Sequence, residues 1–162
     1  MISWAPDSWC SSSAVPGSVW ETPVTEPKQL RIMFVCTGNS ARSQMAEGMA
    51  REMGYDAYSS GTEPATVVNP NAIVVMGELG VDISAHATTQ FDLAAARLMD
   101  VVVTVCGNAE VHCPVLPVSV RRMHWPLFDP ASAEGDSDHV LSVFRRIRNE
   151  IKTRLDVLSE MN

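Results

Sequence analysis

A cysteine and an arginine six positions apart carry the strongest chemical signal in this chain. Cys36 ends an apolar run, and Arg42 closes the short loop that follows. Gly38 and Asn39 tolerate the positive φ angles that turn successive backbone N–H groups inward. A helix beginning near Ala41 adds the positive end of its dipole, and the arginine fork matches two oxygens of a tetrahedral anion. The predicted oxyanion-binding residues are Thr37, Gly38, Asn39, Ser40, Ala41 and Arg42.

The sulfur of Cys36 is predicted to be a nucleophile beneath that bound anion. Amide donors, the helix dipole and Arg42 all favour a thiolate, so we expect a lowered pKa for this thiol. Ser43 is placed to donate one more hydrogen bond to the sulfur. The bare cysteine–arginine spacing also arises by chance, and it is the order of strand, small-residue loop and helix that favours the functional interpretation.

Two further cysteines, Cys106 and Cys113, follow a second apolar run at residues 101–105. Cys106 would lie at the carboxyl end of a parallel strand, like Cys36, and therefore at the sheet edge where ligands bind. One interpretation is that both are small buried hydrophobic residues. A second is a metal site with His112, although the spacing is not that of paired zinc ligands. A third is a relay in which thiols exchange disulfides in sequence.

The segment Cys36-Thr-Gly-Asn-Ser-Ala-Arg-Ser-Gln-Met-Ala-Glu-Gly48 resembles the signature of thioredoxin-coupled arsenate reductases, which are built on the low-molecular-weight tyrosine phosphatase fold. Similar order and spacing are found in Asn69-Pro-Asn-Ala72, Val81-Asp-Ile-Ser84, Cys106 with Cys113, His124-Trp125 and Asp129-Pro130. The resemblance covers residues 29–158. Its most specific part is the set of three cysteines, because the phosphatases share the first loop but lack the paired thiols.

The resemblance implies a reaction that reduces arsenate to arsenite in arsenic detoxification. Cys36 would attack arsenate held by the loop and Arg42, while Asp129 protonates the departing hydroxyl group. Cys106 would then attack Cys36, and Cys113 would attack Cys106. The resulting Cys106–Cys113 disulfide would be reduced by thioredoxin, with no bound cofactor. Without the resemblance, the Asp129-Pro130 pair is as well explained as a turn former as it is as a proton donor.

Some positions depart from the family pattern. Relatives that bind potassium near the loop use Asn, Glu, Ser and Asp side chains. Asn39, Glu47 and Ser59 match that set, but Thr89 stands where the Asp would be, which argues against a potassium site. The phosphatases place tyrosines after their Asp-Pro pair, whereas this chain has Ala131-Ser132, which argues against phosphotyrosine as the substrate.

Two other functions remain open. A low-molecular-weight phosphatase would use only Cys36, Arg42 and Asp129 to hydrolyse phosphate monoesters, with the remaining thiols as a protective redox switch. A non-enzymatic module would bind arsenite or zinc through Cys106 and Cys113.

Composition limits the remaining possibilities. The 162 residues suit one domain. The net charge is −7, and residues 145–148 form the one basic cluster. We interpret this cluster as a solvated helix face rather than a nucleic-acid site. No apolar run is long enough to span a membrane, and no secretory signal is recognised. We expect a cytoplasmic monomer in which thiols stay reduced and the cysteine pair is catalytic.

Residues 1–28 differ from the rest, with a serine run and scattered prolines and tryptophans. We interpret them as a mobile extension or the product of an early start codon, with Cys10 as a bystander thiol, and place the catalytic domain at residues 29–162. Predicted strands cover residues 30–35, 55–59, 101–105 and 121–125. Predicted helices cover residues 41–53, 69–79, 88–98 and 137–158. This alternation predicts a single α/β domain with a parallel four-stranded sheet, flavodoxin-like winding and helices on both faces.

Overall fold

A computed structural model of the chain describes residues 29–107 and 115–161. The proposed extension at residues 1–28, including Cys10, lies outside the described residues. So do His112 and Cys113, two residues of the proposed metal site or relay.

Four short strands form one fully parallel sheet. They are β1 (Arg31–Cys36), β2 (Asp56–Gly61), β3 (Val101–Thr104) and β4 (Arg121–His124), in the order β2-β1-β3-β4. The central strands β1 and β3 are almost continuously buried, as expected for parallel strands covered on both faces. The predicted parallel four-stranded α/β sheet is confirmed.

The strand order reverses direction between β1 and β3, because the chain moves outward to β2 and then returns to the other side of β1. Val35 of β1 pairs with Thr104 of β3, so the segments that leave these two strands begin side by side. Crevices at such reversals are where open α/β sheets bind ligands. Cys36 ends β1 and Cys106 follows β3 closely, so both emerge at this point.

Four helices and one 3-10 turn complete the described fold. They are α1 (Arg42–Glu52), α2 (Pro70–Gly77), α3 (Leu93–Ala96), the turn Pro130–Ser132 and α4 (Ser137–Glu160). Helix α4 packs against α1 and α2 through an apolar stripe of buried residues, Phe144, Ile147, Ile151, Leu155 and Leu158. Within the described residues, no helix is both long and apolar enough to cross a membrane.

The helix predicted over residues 88–98 is wrong in its first half. Only Leu93–Ala96 is helical, and the side chain of Asp92 caps it by accepting from the N–H of Ala94. The preceding residues continue the sheet edge instead: Gly61 donates its N–H to the carbonyl of Thr89 and accepts from the N–H of Phe91. This backbone pairing with the end of β2 outweighs local helix propensity. Leu98, at the end of the predicted helix, is 62% exposed.

Candidate active site

The loop that follows β1 turns its carbonyl groups away from the space it encloses. The carbonyls of Cys36, Thr37, Gly38 and Ser40 accept hydrogen bonds of 2.8 to 3.1 Å from the N–H groups of Thr62, Glu63, Ala65 and Asn69. The carbonyl of Asn39 accepts from Gln44 Nε2 at 3.0 Å. No described peptide bond is cis, and in a trans peptide the following N–H points opposite to the carbonyl. The N–H groups of residues 37–41 therefore point inward, as an oxyanion cradle requires.

The turn of this loop depends on one residue with a positive φ angle. Asn39 has φ +46°, and it is the one non-glycine residue of the described chain in that region. Gly38 was expected to share this conformation and does not. The end of β2 approaches from behind: a Cβ at Gly61 would lie 2.5 Å from the carbonyl oxygen of Thr37 and 2.9 Å from Asn39 Cβ. The absence of a side chain at Gly61 therefore lets the loop close.

Cys36 is 2% exposed, and its sulfur lies at the base of the loop. Ser43 Oγ lies 2.9 Å from it, and the N–H of Asn39 donates to it at 3.0 Å. Burial raises the pKa of the Cys36 thiol, while the Ser43 hydroxyl, the Asn39 N–H and the charge of Arg42 act in the opposite direction. The pKa of Cys36 is raised on balance, so the lowered pKa expected from the sequence is wrong. Removal from water outweighs the donors around the sulfur.

Arg42 and Asp129 face each other across the same opening. Arg42 Nη1 donates to the carbonyl of Leu127 at 3.2 Å, and Nη2 lies 3.1 Å from Asp129 Oδ2. The other oxygen of Asp129 accepts from the N–H of Ala131 at 3.1 Å, which holds the carboxyl group at the start of the 3-10 turn. The side chain of Arg42 is 11% exposed and that of Asp129 is 45% exposed, so Asp129 is the partner that can move into solvent.

A cavity of about 440 Å³ brings most of the predicted residues together. Its lining includes Cys36, Arg42, Cys106 and Asp129, together with Thr37, Gly38, Ser40 and Ala41. Cys106 is 6% exposed, and its sulfur lies 3.4 Å from Thr37 Oγ1. Neither thiol is in a disulfide. The cavity therefore holds an oxyanion cradle and two reduced sulfurs.

Buried side chains behind the loop hold it in place, and one of them, Gln44, was not predicted from the sequence. Asn39 is fully buried and donates through Nδ2 to Ser43 Oγ at 2.9 Å and to Ser59 Oγ at 2.8 Å. Gln44, which was not singled out, is also fully buried, and its amide donates to the carbonyls of Asn39 and Ala87. A polar glutamine beside the apolar residues Met45 and Ala46 was the available signal in the sequence.

The side chains of the potassium-type set bond to one another and to neighbouring protein groups. Asn39 Oδ1 accepts from the N–H of Thr89 at 2.7 Å, and Ser59 Oγ bonds Glu47 Oε2 at 2.5 Å. Glu47 Oε1 lies 2.6 Å from Arg51 Nη2. These bonds join Asn39, Ser59 and Glu47 to one another and to Arg51. Among the described residues, no three His, Cys, Asp or Glu side chains are grouped to hold a metal ion.

The chain is similar to known proteins in both sequence and structure. Residues 31–161 match the family model of the low molecular weight phosphotyrosine protein phosphatases. The chain is 46% identical over 132 residues to an arsenate reductase of Halalkalibacterium halodurans, covering 80% of this chain and 94% of the relative. It is 45% identical, with the same coverage, to an arsenate reductase of Bacillus subtilis. A solved structure described as an arsenate reductase in the phosphate binding state is 34% identical, with a TM-score of 0.63 over 80% of this chain and 96% of that one.

Proposed function

We propose that this chain, which belongs to the low molecular weight phosphotyrosine protein phosphatase family, is an arsenate reductase that converts arsenate to arsenite, like its relatives of 45% and 46% identity. The observation that carries the proposal is the second thiol. Cys106 lines the cavity that also contains Cys36. Hydrolysis of a phosphate ester proceeds through one cysteine and does not require this second sulfur, whereas a two-electron reduction needs two thiols.

In the first step, Cys36 attacks the arsenic of a bound arsenate and forms a sulfur–arsenic bond. The inward N–H groups of the loop and the fork of Arg42 hold the remaining oxygens. A bound oxyanion competes with Asp129 for the Arg42 guanidinium, since the two now lie 3.1 Å apart. Once displaced, the Asp129 carboxyl group can carry a proton and deliver it to the departing hydroxyl group as water forms.

In the second step, Cys106 attacks the sulfur of Cys36. A disulfide forms, the sulfur–arsenic bond breaks, and its electron pair remains on arsenic, which leaves as arsenite. Arsenic gains two electrons and the two sulfurs lose two. The 3.4 Å contact between Cys106 and Thr37 Oγ1 keeps this thiol at the mouth of the cradle.

In the third step, Cys113 attacks Cys106 and releases Cys36, which leaves a Cys106–Cys113 disulfide. An external dithiol must then return two electrons, and we assign this role to thioredoxin because a pair of protein thiols is matched by a dithiol reductant. A cytoplasmic location follows from the need for reduced cysteines. The catalytic unit is residues 29–162 acting as a monomer, since every group in this scheme belongs to one chain.

The test is arsenate-dependent oxidation of NADPH in the presence of thioredoxin and thioredoxin reductase. The native chain should turn over steadily. Cys36→Ser, Cys106→Ser and Cys113→Ser should each abolish steady turnover, and Cys113→Ser should release at most one arsenite per chain. Cys10→Ser is the matched control and should retain full activity, because no step uses that thiol.

Two outcomes would contradict the proposal. Steady arsenite production by Cys106→Ser would exclude the two-thiol scheme. A native chain that gives no arsenite but hydrolyses a phosphate monoester, with dependence on Cys36 and not on Cys106, would identify a phosphatase instead.

A further inference from the structure

Two of the three arginines in the basic cluster at residues 145–148 are explained by ion pairs. Arg145 and Arg148 both pair with Glu78 at the end of α2, at 2.7 and 2.8 Å, and so hold α2 against α4. Arg146 is exposed on the same helix, and no ion pair between described residues includes it. The packing of α4 on α2 therefore leaves Arg146 without an assigned role.

Arg146 lies over the aromatic ring of Phe128, the residue that precedes the proposed proton donor Asp129. The guanidinium carbon of Arg146 is 5.8 Å from the ring centroid. A cation within about 6 Å of the centroid is attracted to the face of the ring, and the planar guanidinium group also stacks on such faces. The contact joins α4 to the segment that leads into the 3-10 turn, and that turn itself packs against α4.

The backbone of this segment turns Phe128 and Asp129 to opposite sides. Asp129 has φ −81° and ψ 106°, an extended conformation in which consecutive side chains alternate in direction. Asp129 lines the cavity that contains Cys36, and Phe128 is not among its lining residues. The preceding residue, Leu127, is buried, and its carbonyl accepts from Arg42. The ring of Phe128 therefore forms the outer face of the segment whose inner face presents the carboxyl group.

A bound oxyanion changes which contacts hold the carboxyl group. Arg42 Nη2 lies 3.1 Å from Asp129 Oδ2, and this inner contact is lost when an oxyanion binds the arginine fork. The hydrogen bond from the N–H of Ala131 remains, but it lies within the same short segment and moves with it. The contact between Phe128 and Arg146 is on the outer face, so the oxyanion does not displace it. It therefore still holds Asp129 beside the cavity when the departing hydroxyl group needs a proton.

We infer that Arg146 is a positioning residue that holds the proton donor Asp129 in place through the ring of Phe128. Neither Arg146 nor Phe128 lines the cavity, so both act on the reaction only through Asp129. The inference rests on the proposed function, and more narrowly on Asp129 as the acid that protonates the leaving group. That role is the same in arsenate reduction and in the alternative hydrolysis of a phosphate monoester, so either reaction can report it.

The experiment measures the rate of arsenite release in a single turnover of the reduced full-length chain, across a range of arsenate concentrations. Arg146→Gln should lower the limiting rate by about two- to fivefold, the factor that corresponds to a cation–π contact at an exposed site. The arsenate concentration for half-maximal rate should not rise, because Arg42 and the cradle are unchanged. Arg146→Lys should recover most of the lost rate, since an ammonium group is also attracted to the ring face. Phe128→Leu should reproduce the loss, and the double variant should lose no more than either single one.

Arg145→Gln is the matched control. Arg145 is the adjacent arginine of α4, and it pairs with Glu78 rather than with an aromatic ring, so its replacement should leave the limiting rate unchanged. The dissociation constant of inorganic phosphate, measured by calorimetry, should not rise in Arg146→Gln or Phe128→Leu. A weaker affinity for phosphate that accounts for the loss of rate would show a distorted cradle and overturn the inference.

A chain that carries Asp129→Asn separates positioning from general damage. In that background Arg146→Gln should cause no further loss, because no proton donor is left to hold. A further loss of the same size would overturn the inference, and so would a native limiting rate in both Arg146→Gln and Phe128→Leu.

Failure of the proposed function has a different signature. It appears as a native chain that releases no arsenite, and the same variants are then compared in the hydrolysis of a phosphate monoester, where the same losses are expected. A native chain that catalyses neither reaction would overturn the function and the inference together.

Discussion

Replacement of Ser43 by alanine tests most directly how the protein activates Cys36. The substitution removes the 2.9 Å hydrogen bond to the sulfur and leaves the rest of the loop backbone in place. Hydrogen bonds to charged groups contribute about 1.5–3 kcal/mol, and one pKa unit corresponds to about 1.4 kcal/mol, so the pKa of Cys36 should rise by about one to two units. Burial already raises the pKa of Cys36, and loss of the Ser43 hydrogen bond would raise it further.

The change in reaction rate is smaller than the change in pKa. A more basic thiolate reacts faster once formed, with a sensitivity of about one half, so alkylation at neutral pH should slow by about 3- to 10-fold. At alkaline pH the order should reverse, and the variant should react faster than the native chain. This crossing of the two profiles distinguishes a changed pKa from a distorted site.

The assay is the rate of iodoacetamide alkylation of the Cys36 peptide across a pH series. Ser142→Ala is the matched control, since Ser142 is an exposed serine of α4 that bonds the carbonyl of His139 in its own helix. Its profile should coincide with that of the native chain. A pH profile of Ser43→Ala with the same midpoint as the native chain would refute the assignment of Ser43 as a hydrogen-bond donor to the sulfur.

Three other predictions concern the loop, the thiol and the arginine. Gly61→Ala should reduce arsenate turnover at least tenfold and lower the free energy of unfolding by about 1–3 kcal/mol, because the added Cβ would lie 2.5 Å from the carbonyl oxygen of Thr37. Urea titration checks the stability, and Gly77→Ala, which meets nothing within 4 Å, should not lower it. Folding raises the pKa of Cys36, so the protonated thiol contributes fully to stability below the pKa that Cys36 has in the unfolded chain. This contribution is lost as the pH rises through the pKa that Cys36 has in the folded protein. Urea titrations at alkaline pH should therefore show native stability falling more steeply than that of Cys36→Ala, and parallel slopes would contradict this. Arg42→Lys keeps the charge but loses the fork, so KM for arsenate should rise by at least tenfold in the thioredoxin-coupled assay, and an unchanged KM would contradict bidentate binding.

The parallel sheet was predictable because its strands carry local signals. The buried apolar runs of β1 and β3 are typical of central parallel strands, and α4 shows an apolar stripe at helical spacing. The pairing of Gly61 with residues 89–91 was not predictable, because it joins parts of the chain that are distant in sequence. A local pattern of helix-forming residues there gave the wrong length for α3.

The candidate site was likewise predictable from the sequence only in part. The spacing of Cys36 and Arg42 predicts the cradle, and the strand ends predict that Cys106 lies beside it. The balance of effects on the Cys36 thiol was not predictable, because local donors can be recognised from the loop sequence whereas the degree of burial depends on the whole fold. The ion pair of Arg42 with Asp129 likewise depends on where the turn after Leu127 lies.

The outward carbonyls of the Cys36 loop have a consequence for selectivity. With five of them bonded to neighbouring segments, the cradle keeps its shape whichever ion enters, and it recognises charge and tetrahedral geometry alone. Phosphate shares both properties with arsenate, so affinity cannot discriminate between them. Discrimination must come from the ease with which arsenic, unlike phosphorus, accepts an electron pair. Ambient phosphate therefore acts as a competitor, and the arsenate concentration required for half-maximal turnover should rise linearly with the phosphate concentration.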